Sequence, residues 1–197
     1  MHDYHQYFCT DDSLGLPDNQ ITHLLRDSKN RFWVGTVNGV CLYTDKDNFR
    51  IIPIEADNKN VRQILEDRNG RIFLNTGFQL YAYHPREEKI TCVLPEISPG
   101  NAFYAQCHIA PDNNLWVMTS TGLRCYDPST LQLKESVALN GYPYYSYLHN
   151  NELWITGNHT LSIFDTRTRS FKPLPQPIAQ NTTPVSYTHL TLPTKLE

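Results

Sequence analysis

The residue types that could carry out proton transfer, metal binding or nucleophilic attack are all present in this chain, but their spacing builds no reactive constellation. There are 8 histidines, 5 cysteines and 20 acidic residues. His2, His5, His23, His84, His108, His149, His159 and His189 share no recurring position. His2 and His5 are three apart in a β-prone stretch, which puts them on opposite faces of a strand. The acidic pairs Asp11-Asp12 and Glu87-Glu88 fall in turn-like stretches and read as solvated loops. Cys9, Cys41, Cys92, Cys107 and Cys125 include no C-x-x-C pair, so neither a zinc site nor a redox motif is expected. No G-x-S-x-G, H-E-x-x-H, phosphate-cradling glycine loop or calcium loop occurs. The expectation is a chain with no catalytic residue, no metal site and no cofactor. What stands out instead is chemistry suited to recognition: Tyr104, Tyr142 and Tyr144, with Arg62, Gln63, His23 and Gln106. Aromatic faces pack on the axial C–H patches of sugars, and polar neighbours read the hydroxyls.

These residues are singled out by position within a repeat. Trp33–Tyr43, Phe73–Tyr83, Trp116–Tyr126 and Trp154–Phe164 are pairs of aromatics ten positions apart. Their leading members are spaced 40, 43 and 38 residues apart. Twelve positions before each leading aromatic stand Ile21, Val61, Tyr104 and Tyr142; ten before stand His23, Gln63, Gln106 and Tyr144. Phe103 and Tyr145 add to the aromatic strip.

Each unit holds four short runs rich in β-branched and aromatic residues, separated by Asp, Asn, Gly, Lys and Pro. Lys29-Asn30, Asn69-Gly70, Asn113-Asn114 and Asn150-Asn151 lie between the first and second runs, where tight hairpins need residues tolerant of positive φ. No apolar 3.6 period predicts a helix. Four antiparallel strands at a period near 40 predict a β-propeller blade. The fold expected is all-β: a propeller fragment of about four four-stranded antiparallel blades plus the end of a preceding blade. Trp33, Trp116 and Trp154 are expected to pack between blades.

The expected divisions are 1–14 for the end of a preceding blade and linker, then blades at 15–57, 58–98, 99–139 and 140–180. Residues 181–197 do not continue the repeat and read as a non-native, adaptor-derived tail. The loops leading into each first strand, and those between second and third strands, should crowd one face around the propeller axis. An unclosed set of blades would present two raw sheet faces.

The 197 residues carry a net charge of −3 with no Lys/Arg cluster, so no nucleic-acid partner is expected. No run approaches the roughly 18 apolar residues of a membrane span, and Met1-His2-Asp3 does not open a signal peptide. The scattered cysteines read as small buried apolar groups.

One stretch carries more than generic blade chemistry. Gly15-Leu16-Pro17-Asp18-Asn19 leads to Leu24-Leu25-Arg26-Asp27, then Phe32-Trp33-Val34-Gly35-Thr36, then Gly39-Val40-Cys41-Leu42-Tyr43. This resembles the two-component regulator propeller repeat. The later units keep parts of it: Glu66-Asp67 and Phe73; Leu115-Trp116, Thr119 and Gly122-Leu123; Leu153-Trp154 and Phe164-Asp165. The resemblance implies an extracytoplasmic, periplasmic sensor region of a hybrid two-component regulator, whose histidine kinase lies outside this chain. It implies an oligosaccharide ligand, partnership with the remaining blades of the same chain, and a homodimer, with no membrane contact from this part. Two alternatives stand beside it: a propeller enzyme acting on polysaccharide, with Arg62 and His23 as its plausible contributors, and a protein-interaction scaffold.

Overall fold

The computed structural model describes residues 15–44, 48–97 and 105–174. The expected end of a preceding blade and the expected tail lie outside them. The described chain forms sixteen strands in four sheets. Blade 1 comprises β1 (Ile21–Arg26), β2 (Phe32–Thr36), β3 (Gly39–Tyr43) and β4 (Phe49–Ile52). Blade 2 comprises β5 (Gln63–Glu66), β6 (Ile72–Asn75), β7 (Leu80–His84) and β8 (Lys89–Leu94). Blade 3 comprises β9 (Gln106–Ile109), β10 (Leu115–Thr119), β11 (Gly122–Tyr126) and β12 (Leu133–Ala138). Blade 4 comprises β13 (Pro143–His149), β14 (Glu152–Gly157), β15 (Thr160–Asp165) and β16 (Ser170–Lys172). Each sheet is an antiparallel meander in chain order, and the four together are a β-propeller arrangement.

Local chemistry explains the hairpins. Asn30, Gly70, Asn113 and Asn150 sit at φ of 64°, 74°, 65° and 54° in the first turn of their blades, the positions where Asn and Gly recur. The second turn is closed by a repeated threonine. Thr36 Oγ1 donates to the Gly39 carbonyl at 2.9 Å, and Thr119 Oγ1 donates to the Gly122 carbonyl at 3.0 Å. The opening Gly-Leu-Pro segment has a packing role. Leu16 is buried against Val34, Cys41 and Phe49 on the outer side of blade 1. Gly35 has a different reason: a Cβ there would stand 3.0 Å from Val61 Cγ1, so its absence lets blade 2 close onto blade 1.

Three apolar seams join successive blades. Trp33, Val40, Leu42 and Ile52 of blade 1 meet Ile64, Leu74, Tyr81 and Ile90 of blade 2. Phe73 and Leu80 of blade 2 meet Cys107, Leu115, Val117 and Tyr126 of blade 3. Trp116, Met118, Leu123 and Cys125 of blade 3 meet Leu153, Ile155 and Phe164 of blade 4. Each leading aromatic therefore points at the following blade. Trp33, Phe73 and Trp116 are fully buried. Trp154 is only half-buried, because among the described residues no blade packs on that side of blade 4. The expectation of core packing holds for Trp33 and Trp116, while the described residues include no blade to pack on Trp154. Tyr145 and Tyr147 share its face and are exposed. The opposite side of blade 1 likewise exposes Leu24 and Ile51.

The aspartate that ends β1 shows why the repeat couples an acid to a tryptophan. Asp27 Oδ2 accepts from Trp33 Nε1 at 2.9 Å and from Arg31 Nε at 2.6 Å, while Oδ1 accepts from the backbone of Lys29 and Arg31. The turn is reproduced in blades 2 and 3. Asp67 N bonds Arg71 O and Ala110 N bonds Asn114 O, as Asp27 N bonds Arg31 O. The acid and the indole, however, have become separated. Blade 2 keeps Asp67 but has Phe73, and Asp67 Oδ2 is buried with no partner among the described residues. Blade 3 keeps Trp116 but has Ala110, and Trp116 Nε1 is the orphan. Ala110→Asp should restore the blade 1 arrangement and raise stability by about 1 kcal/mol in urea unfolding at pH 7. A neutral or destabilised variant would show that the turn is too closely packed to take the carboxylate.

The expectation for the cysteines divides, and Cys9 lies outside the described residues. Cys41, Cys107 and Cys125 are buried, and burial pushes their thiols up to about 12, 12 and 11. Cys92 is exposed, because it lies on β8 at the outer rim of blade 2.

Candidate functional site

The first strand of each blade lies innermost, and β1, β5, β9 and β13 contact one another in sequence. Where their leading ends converge they leave a groove of about 500 Å³. Blade 1 contributes Gln20, Thr22, His23 and Val37; blade 2 contributes Asn60, Arg62 and Gln63; blade 3 contributes Ala105 and Gln106; blade 4 contributes Tyr145. The volume falls within the ~300–1,000 Å³ of small-molecule sites.

The structure brings His23, Arg62, Gln63 and Gln106 together on this groove. Tyr142 and Tyr144 are exposed and do not line it, and Tyr104 lies outside the described residues. The displacement of Tyr144 has a local cause. The turn from β13 to β14 is one residue shorter than its counterparts: Tyr147 pairs with Trp154 seven positions on, whereas Leu25 pairs with Trp33, Leu65 with Phe73 and His108 with Trp116 eight positions on. Tyr145 therefore pairs with Thr156, two beyond the leading Trp154, just as Gln63 pairs with Asn75 and Gln106 with Met118. Tyr145, not Tyr144, holds the equivalent place. Gln20 and Asn60 are also lining residues that the pattern could have given, since each stands thirteen before its leading aromatic.

The polar residues at this level also clasp neighbouring blades. The Gln63 amide oxygen accepts from Cys107 N at 2.9 Å and from Asn75 Nδ2 at 2.8 Å, and its Nε2 donates to Cys107 O at 3.4 Å. One blade further on, Gln106 Oε1 accepts from Ser146 N at 2.5 Å and from Ser146 Oγ at 2.9 Å. His23 is bonded to the backbone of Ile64; burial lowers its pKa, and that bond opposes the shift in part. Thr22 Oγ1 donates to the Val61 carbonyl. These contacts fix the groove walls and consume most of the hydrogen-bonding capacity of Gln63 and Thr22. Asn60 is different: its Oδ1 is buried without a partner among the described residues.

One pair has the look of a nucleophile and its base. Ser146 Oγ lies 2.8 Å from His108 Nε2. The serine has a single hydroxyl hydrogen, and Gln106 Oε1 takes it, so His108 donates to Ser146. Burial pushes the His108 pKa down to about 4, so the imidazole is neutral at pH 7. Ser146 is itself buried. The three side chains are a neutral interblade clasp, and the geometry gives Ser146 no base. Among the described residues no group of three His, Cys, Asp or Glu side chains is placed to hold a metal ion.

All of this defines a propeller whose axial groove is lined by residues from four successive blades. Its first blade carries a two component regulator propeller repeat, whose family model matches residues 15–38. No curated protein sequence matches the chain. Among solved structures, the extracellular domain of a putative hybrid two component system from B. thetaiotaomicron aligns at a TM-score of 0.56 with 15% identity. That alignment covers 88% of this chain and 32% of that one. A second such domain from the same organism aligns at 0.59 with 20% identity, covering 80% and 23%. A virginiamycin B lyase from Staphylococcus aureus aligns at 0.63 with 16% identity, covering 80% and 56%. At these identities the likeness is one of fold. The chain spans about a third or less of the sensor domains and just over half of the lyase.

Proposed function

We propose that this chain is part of the extracytoplasmic, periplasmic ligand-sensing propeller of a hybrid two-component regulator, and that its axial groove takes an oligosaccharide. The observation that carries the reading is the placement of His23, Arg62, Gln63 and Gln106 beside Tyr145 in one groove, in a propeller whose first blade bears the regulator repeat. An exposed aromatic wall next to polar side chains suits a sugar ring and its hydroxyls. Further blades of the same chain pack on Trp154 and Tyr147 and leave Tyr145, at the axial end of that face, open to the groove, and ligand binding biases the packing of a homodimer of the intact sensor. Such a bias requires different affinities for the two arrangements. Isothermal titration of the intact sensor region with a panel of oligosaccharides should give saturable heat with at least one. Absence of heat across the panel rejects the ligand class. A ligand-dependent change in sedimentation coefficient reports the dimer.

A catalytic reading draws on the likeness to the lyase fold. It would need acids or histidines to converge on the groove, and His23 is the one titratable acid–base candidate among the lining residues beside Arg62 and Tyr145.

A further inference from the structure

We infer that in the 197-residue chain the open face of blade 4 binds the open face of blade 1 of a second copy, head to tail, so that the junction between copies reproduces the seams within one copy. The further blades proposed for the intact sensor would hold the same place from within a longer chain.

The two faces are the two halves of one repeated interface. In the first seam Trp33 meets Tyr83 edge-on at 4.9 Å, and in the third Trp116 meets Phe164 edge-on at 5.1 Å. In the second, Phe73 and Tyr126 share one core cluster. Each time the second ring stands ten positions after the leading aromatic of the following blade. Blade 4 presents the first half of such a seam. Trp154 is half-buried, and Tyr145, Tyr147 and Thr156 on the same face are exposed. Blade 1 presents the second half. Leu24, Phe32, Tyr43 and Ile51 lie on one face of its sheet and are between 37% and 54% exposed. Leu24, Phe32 and Tyr43 hold the places that Ile64, Ile72 and Tyr83 hold in the first seam. Phe49 meets the Tyr43 ring edge-on at 5.5 Å and sets its orientation.

Leu16 shows that the blade 1 face is already built as half of a seam. It stands seventeen before Trp33 and packs on Val34, Cys41 and Phe49. Ala56 stands seventeen before Phe73 and packs into the first seam. The polar groups at the turns match in the same way. Glu66 reaches back across the first seam to Ser28, accepting from its backbone N–H at 2.8 Å and its hydroxyl at 2.6 Å. Arg26 holds the place of Glu66 on blade 1, and Asn150 opens the turn of blade 4 as Ser28 opens that of blade 1. The Arg26 Nε donates to Asn30 Oδ1 at 2.7 Å, and its terminal N–H groups are donors suited to the amide oxygen of the second copy's Asn150.

Mutual burial of these apolar faces drives the contact. The junction also extends the axial groove. The second copy's Gln20 and Thr22 follow Tyr145 around the axis as Asn60 and Arg62 follow His23.

Sedimentation velocity on the 197-residue chain over a roughly 100-fold range of concentration should show pairs or longer assemblies, since a contact between unlike faces closes as a ring or grows. Tyr147→Lys spoils the blade 4 face alone, and Leu24→Lys the blade 1 face alone; both positions are exposed. Each variant by itself should associate at least roughly 30-fold more weakly. Mixed in equal amounts, the two should form a heterodimer, because one keeps the blade 1 face and the other the blade 4 face. Thr156→Lys and Ile51→Lys are a second pair of the same design, to be used if circular dichroism shows either of the first unfolded. A wild-type chain that stays monomeric throughout overturns the inference. Association that persists in Leu24→Lys alone overturns it in favour of blade 4 faces meeting each other, and persistence in both variants places the contact elsewhere. Two monomeric variants whose mixture stays monomeric also overturn the head-to-tail pairing.

Discussion

Replacing Trp33 by alanine should cost this 197-residue chain about 3–5 kcal/mol of unfolding free energy. The indole is fully buried in the first seam. It meets the Tyr83 ring edge-on at 4.9 Å between centroids and bonds Asp27 through Nε1. The guanidinium of Arg31 stacks over both rings, at 5.2 and 5.5 Å. Removal leaves a cavity in close-packed surroundings and takes away one of the two side-chain donors to a buried carboxylate oxygen. For a domain with roughly 5–15 kcal/mol in total, that loss is about a fifth or more. The matching replacement of Trp154 tests the stacking argument. That ring is half-buried and its N–H donates to Glu152 Oε2 at 3.2 Å. Trp154→Ala should cost less than about 2 kcal/mol. Urea unfolding of both variants gives the comparison, and equal costs would contradict the seam-by-seam account of stability.

Asp27→Ala should be the next largest loss, about 3 kcal/mol at pH 7. It leaves Trp33 Nε1, Arg31 Nε and two backbone N–H groups of the turn without their acceptor. The carboxylate side chain is wholly buried, which pushes its pKa up; the bonds from Trp33 and from the Arg31 backbone and guanidinium outweigh that and hold it below the ordinary carboxylate value. The sign of the pH dependence follows. A folded pKa below the unfolded one means the contribution is complete above the unfolded value, near 3.9, and is lost as pH falls through the lowered value. The stability gap between wild type and Asp27→Ala should therefore be flat from pH 7 to 5 and narrow below about pH 4. Urea midpoints measured across that range would detect a gap that instead widens on acidification, which would refute the account.

Several parts of this fold are legible in the residues themselves. Asn and Gly at each first turn announce the positive φ found at Asn30, Gly70, Asn113 and Asn150. The ten-residue spacing of aromatics corresponds to two strands and the turn between them. Gly35 and Leu16 explain why the first unit matches a family pattern that the later units relax: one admits the next blade, the other seals the outer side. What the pattern hides is register and reach. The turn between β13 and β14 is one residue shorter than in the other blades, so counting back ten from Trp154 lands on Tyr144 when Tyr145 holds the place. Gln63 and Gln106 read as ligand-seeking amides because sequence carries no distance to the next blade. In the folded chain they reach Cys107 and Ser146. The burial of Trp154 was unreadable for the same reason, since it depends on a neighbour rather than on the blade that bears it.

The clasps from Gln63 to Cys107 and from Gln106 to Ser146 sit at the innermost strands, and each blade extends outward from them through three further strands. With strands about 4.8 Å apart, the outer edge lies roughly 14 Å from the clasp. A blade turned about its axial end would therefore act as a lever. A rotation of about 4° between two blades barely alters the groove but carries the outermost strand by about 1 Å. The propeller rim is where a small adjustment at the axis becomes a displacement that a neighbouring surface can feel.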